Sequence, residues 1–99
     1  MRYLTIASDY TGSCIMDDFQ GQVDCLELQL DEEFCKELDE WNANYKVIIL
    51  LDMEERDQRC DEIKMLDERG MYLAKKLANA IQGGAKVKYY SEGKLEYLE

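Results

Sequence analysis

Apolar side chains recur at steps of three and four between Asp52 and Gln82, where Cys60, Ile63, Leu66, Gly70, Leu73, Ala74, Leu77 and Ile81 mark one face of a helix. Asp52 followed by Glu55 makes a capping-box pattern that starts it, because the first turn's free N–H groups take a side-chain acceptor and favour negative charge. Gly83-Gly84 supplies the left-handed conformation that stops it, with Lys75 and Lys76 towards its negative end. A helix of that length would run about 45 Å at 1.5 Å per residue, so a bend near Gly70 is expected.

Upstream, Tyr3 to Ala7 alternates, with Leu4 and Ile6 on one face, and predicts a strand leading into the polar loop Ser8 to Ser13. Cys14 to Met16 reads as a short paired strand before a turn at Gly21. Leu26, Leu28 and Leu30 read as an extended lead into a helix capped by Asp31. Phe34, Leu38, Trp41 and Tyr45 then give that helix about three turns, with Glu33, Glu37 and Glu40 on its outer side. Lys46 to Leu51 is a short apolar run, either a buried strand or a hydrophobic connector, with its side chains inside. Ala85 to Tyr90 alternates, and Ser91-Glu92-Gly93-Lys94 turns the chain into a C-terminal hairpin.

The order predicts an α+β fold over residues 1–99 as one domain: a small three- to four-stranded sheet with two helices packed on one face, the second running from about 53 to 82. The first strand is placed beside Lys86 to Tyr90.

Charge changes the picture next. The net charge of −10 argues against direct nucleic-acid or anionic-membrane binding and favours a basic partner. The acid is also segregated, with 17 acids and 5 bases over residues 1–62 against 5 acids and 7 bases over 63–99. Four cysteines without C-x-x-C spacing, no signal-peptide pattern and no apolar run long enough for a bilayer suggest reduced thiols in the cytoplasm.

With no histidine, the usual general base and commonest transition-metal ligand are missing, and no cofactor is expected. Cys35 and Cys60 read as buried, inert thiols. A cation-dependent hydrolase built on Asp9, Asp17 and Asp18 is one alternative, although these lack EF-hand spacing. A non-catalytic adaptor that forms oligomers through the long helix or a strand edge is another.

On the back of the long helix, Glu54, Asp57, Asp61, Met65, Glu68, Tyr72, Lys75 and Asn79 share a face at 100° per residue. Met and Tyr among carboxylates have the composition of an interface, where apolar anchors sit among steering charges. The competing reading is that residues 8–30 fold over this face and bury both.

Four segments carry a resemblance: SDYTGSCIMDDF, Leu38-x-x-Trp41-x-x-x-Tyr45, LDERG with LAKKLANAI, and KVKYYSEGK. Together they resemble small acidic immunity proteins of bacterial polymorphic-toxin and contact-dependent growth inhibition systems. The resemblance implies a non-catalytic cytoplasmic protein that binds the C-terminal domain of a cognate toxin, often a basic nuclease, as a 1:1 heterodimer, and it transfers no catalytic residue. Candidate contacts, drawn from the chain's own pattern, are the anchors Tyr10, Met65 and Tyr72 and the steering groups Asp9, Asp17, Asp18, Glu33, Glu37, Glu40, Asp57, Asp61 and Glu68.

Overall fold

The computed structural model describes residues 1–10 and 12–98; Thr11 of the polar loop and Glu99 lie outside the described residues. The elements run β1 (Arg2–Ile6), β2 (Ile15–Asp17), β3 (Gly21–Gln22), α1 (Glu32–Ile49), α2 (Met53–Gln58), α3 (Cys60–Ala80), β4 (Ala85–Ser91) and β5 (Glu96–Leu98). They form an α+β fold. The mixed sheet has the order β3-β2-β1-β4-β5, with β1 parallel to β4 in the register Arg2↔Ala85 to Ile6↔Tyr89 and the other pairs antiparallel. The expected neighbour of the first strand is therefore correct. Its five strands exceed the three or four expected, because the Asp17–Gly21 turn folds β2 and β3 into an edge hairpin.

Strand alternation sends Leu4, Ile6, Ile15 and Tyr89 into the core, where α1 contributes Phe34, Leu38, Trp41, Tyr45 and Ile48 and α3 contributes Ile63, Leu73 and Leu77. Both helices lie on this one side. Trp41 sits edge-on to Tyr45 and Tyr89, and its indole N–H donates to the Leu66 carbonyl at 2.9 Å.

The long helix is broken at Arg59, where φ −115° and ψ 26° leave the helical region, and it runs unbroken through Gly70. The bend expected at Gly70 is thus misplaced. The capping box at Asp52 is present, with the Glu55 N–H donating to Asp52 Oδ1 at 2.8 Å, but it starts only the short α2. That helix buries no side chain, so the core does not orient it. Arg56 does, donating to the carbonyls of Ile49, Leu51 and Glu92 at 3.1, 3.1 and 2.9 Å, and Arg59 absorbs the change of direction into α3. The break also exposes Cys60, which continuous periodicity places on the buried stripe.

Gly70 has another use. A Cβ there would lie 2.6 Å from Cζ of the Tyr89 ring, so glycine admits that ring against α3. The apolar run Lys46 to Leu51 is neither strand nor wholly inside: it forms the last turn of α1 and its cap, with Ile48 buried and Val47 and Leu50 exposed. CLELQL folds as turns rather than as an extended lead-in.

Two thiols expected to be reduced are joined. Cys25 and Cys35 form a disulfide with Cα atoms 5.7 Å apart, because the turns of residues 24–30 return the chain to the first turn of α1. Cys14 is a buried free thiol, pushed up to about 12 by burial and by the Asp39 carboxylate. No helix among the described residues is long and apolar enough to cross a membrane.

Candidate functional site

The repeat that buries Ile63, Gly70, Leu73 and Leu77 turns the opposite side of α3 to solvent. Asp61, Met65, Glu68, Tyr72, Lys75 and Asn79 are all exposed along it. Met65 is 71% and Tyr72 51% exposed, so the described residues between 8 and 30 do not cover this face. The Arg69 guanidinium stacks 5.0 Å from the centre of the Tyr72 ring. A hollow of about 290 Å³ opens beside it, lined by Glu68, Met71, Tyr72 and Lys75.

Glu54 and Asp57 belong to α2, across the break, so the stripe is not one continuous helical face as a single helix from 53 to 82 requires. Asp57 instead lines a separate hollow with Arg56, Cys60 and Lys94.

The other candidates divide by place. Glu33 and Glu40 are exposed on α1, whereas Glu37 is tied to α3 by Arg69 at 2.7 Å and Lys76 at 2.9 Å. Its hydrogen bond to Lys76 holds the carboxyl below its usual range and raises the Lys76 ammonium. Asp9 accepts from the Gly12 N–H and from Gln22 Nε2, and the exposed Tyr10 follows it. Asn42 fastens this loop to α1, accepting from the Ser8 hydroxyl and the Asp9 N–H at 2.8 and 2.9 Å.

Asp17 is no steering group. It is buried, accepts from Arg2 at 3.0 Å and from the Phe19 and Gln20 N–H groups, and forms the turn between β2 and β3. The Phe19 N–H, then the Arg2 guanidinium, lower its pKa. Asp18 points elsewhere, accepting from the Thr5 hydroxyl at 3.0 Å and pairing with Lys88 at 3.3 Å. The two carboxylates that a hydrolase needs around one cation are thus directed to different partners. Among the described residues no cluster of three metal-ligating side chains occurs.

Two features escaped the sequence reading. Asp67 occupies the buried stripe of α3, 2% exposed, where Tyr89 and Tyr45 donate to its Oδ1 at 2.6 and 2.8 Å and Ser91 to its Oδ2 at 2.8 Å. The Gly93 N–H donates in turn to Tyr45 Oη at 2.9 Å. Burial pushes Tyr45 up to about 12, and burial with the Asp67 bond raises Tyr89. Asp67 lies four residues after Ile63 and three before Gly70, so a charge on an apolar stripe was the available signal.

The second feature is the uncovered side of the sheet, which presents Tyr3, Met16, Phe19 and Tyr97 to solvent beside Lys86 and Lys88. These are the residues left over once Leu4, Ile6, Val87 and Tyr89 are turned inward.

The family model described as Serratia CdiI immunity protein-like matches residues 2–92. No curated protein matches the chain. The chain therefore belongs to the CdiI-like immunity proteins of contact-dependent growth inhibition, which are non-catalytic and bind a cognate toxin.

Proposed function

From this membership we propose that the chain neutralises a basic nuclease toxin domain by laying the outer face of α3 over its active site or substrate surface, as a 1:1 complex. The observation that carries the reading is the exposure of Met65 and Tyr72 among Asp61 and Glu68. A nuclease surface that grips phosphates is basic, and Asp61 and Glu68, set beside Arg69 and Lys75, compete for the same cations. The carboxylates accelerate capture, and the two apolar anchors, once dry, slow release. Glu33 and Glu40 extend the same steering field from α1, and Asp57 adds to it from α2; Asp9 and Tyr10 remain a secondary contact.

The test has two stages. Co-expression with the cognate toxin C-terminal domain should rescue growth and yield a stable complex; without rescue, the toxin reading fails. In stopped flow, Asp61→Lys with Glu68→Lys should slow association by about tenfold or more and flatten its dependence on salt. An unchanged rate and salt slope move the docking site off α3.

The proposed place of action is the cytoplasm, where a nuclease toxin meets nucleic acid. The Cys25–Cys35 bridge pulls against that location, since cytosolic thiols are kept reduced. Alkylation and mass measurement on protein taken from the cytoplasm decide it: four modified cysteines mean the bridge is open there, and two mean it survives.

A further inference from the structure

Both main helices pack on one side of the sheet, and among the described residues no layer covers the other side. Unlike the helical side, it is not acidic. Lys86 and Lys88 outnumber Asp18 there, in a chain of net charge −10. It is also rich in large apolar groups: Phe19 is 82% and Tyr97 60% exposed, and Tyr3, Met16 and Tyr90 surround them. We propose that this face pairs with the same face of a second copy, sheet against sheet, leaving both helical sides outward.

Three observations select a second copy. Two molecules this acidic repel one another, and this face is the approach where carboxylates are scarce. Its relief suits a two-fold axis: the exposed Phe19 is one wall of a shallow hollow of about 610 Å³ that Met16, Asp18, Lys88, Tyr90 and Tyr97 also line, so each Phe19 can pack against the other copy's Tyr90 and Tyr97. Both signs of charge are present, since Asp18 and Lys88 already pair at 3.3 Å and can exchange partners across the axis.

Area points the same way. The exposed parts of these five apolar side chains amount to roughly 500 Å² at 150–250 Å² per aromatic ring. The Lys86 and Lys88 stems and the turn at Gln20 bring the face close to the roughly 800 Å² per partner of a standard complex. Pairing should therefore be reversible and visible at tens of micromolar.

The inference does not rest on the toxin reading, and salt separates the two. Screening weakens repulsion between acidic copies, so added salt should strengthen pairing while it slows capture of a basic toxin. Sedimentation equilibrium of the full chain from about 5 to 200 µM should show a mass rising from monomer to dimer, further at high salt. Phe19→Glu with Tyr97→Glu should weaken pairing at least tenfold, and Met65→Glu on the opposite side should leave it unchanged. If the double variant loses its native circular dichroism, Lys88→Glu, which sets carboxylate against Asp18, replaces it and should also weaken pairing. A monomer throughout overturns the proposal. So do a dimer indifferent to these substitutions, a dimer broken by Met65→Glu, and protection of this face from hydrogen exchange only when a toxin domain is bound.

Discussion

Removing the Asp67 carboxylate is the sharpest test of what holds α3 to the hairpin. In Asp67→Ala, the hydroxyls of Tyr89, Tyr45 and Ser91 lose their acceptor at 2.6, 2.8 and 2.8 Å. A stranded buried donor costs about 1–3 kcal/mol. Part of that loss is recovered, because Tyr45 and Ser91 remain within 3.3 Å of each other and can bond mutually. A net cost of about 3–5 kcal/mol follows, a large share of the roughly 5–15 kcal/mol that stabilises a small domain. At about 4–8 °C per kcal/mol the melting temperature should fall by roughly 12–40 °C. Asp67→Asn, which keeps one acceptor oxygen but turns an amide N–H towards the donors, should lose less. A double-mutant cycle of Asp67→Ala with Tyr89→Phe isolates the pair and should give a coupling of about 1 kcal/mol or more. A melting temperature lowered by less than about 3 °C in Asp67→Ala, or a coupling near zero, would refute the reasoning.

Gly70→Ala should destabilise by about 1–3 kcal/mol in urea, since the new methyl overlaps the Tyr89 ring, despite alanine's better helix propensity; a more stable variant would mean the ring gives way freely. Reducing the Cys25–Cys35 bridge, which closes a separation of 10 residues, should lower stability by about 3 kcal/mol, and identical urea midpoints with and without a thiol reductant would contradict this. Alkali should unfold the protein through its core tyrosines. Below pH 10 Tyr45 is neutral folded and unfolded, but between 10 and about 12 only the unfolded state ionises, so stability declines through that window as pH rises. Tyrosinate absorbance should therefore lag behind the exposed tyrosines until circular dichroism is lost, and all seven ionising together with the fold intact would exclude it.

Periodicity located the elements that bury a regular stripe and failed where a polar contact decides direction. Leu4 and Ile6, Phe34 to Tyr45, and Ile63 to Leu77 were legible because burial selects them at fixed steps. The break at Arg59 was not, because it follows from Arg56 reaching the carbonyls of Ile49, Leu51 and Glu92, the last of them 36 residues away. Asp17 and Glu37 looked like free surface carboxylates, since a sequence does not show that Arg2, Arg69 and Lys76 will stand beside them. The exposure of Met65 and Tyr72 needed the structure as well, to tie Ser8, Asp9 and Cys25 to α1 and to put Ile15–Asp17 into the sheet.

Asp67 connects the core to the proposed docking face. Apolar contacts are non-directional, and a helix resting on the sheet through Ile63, Leu73 and Leu77 alone could roll by some degrees at little cost. Hydrogen bonds weaken steeply with angle, so a carboxylate bonded to β4 through Tyr89 and Ser91 and to α1 through Tyr45 permits one rotation of α3. Asp67 is flanked on the same turns by Met65 and Glu68, whose outward directions are set by that rotation. The burial of one carboxylate thereby determines which side chains the exposed stripe offers, and loosening it should cost docking precision even in variants that stay folded.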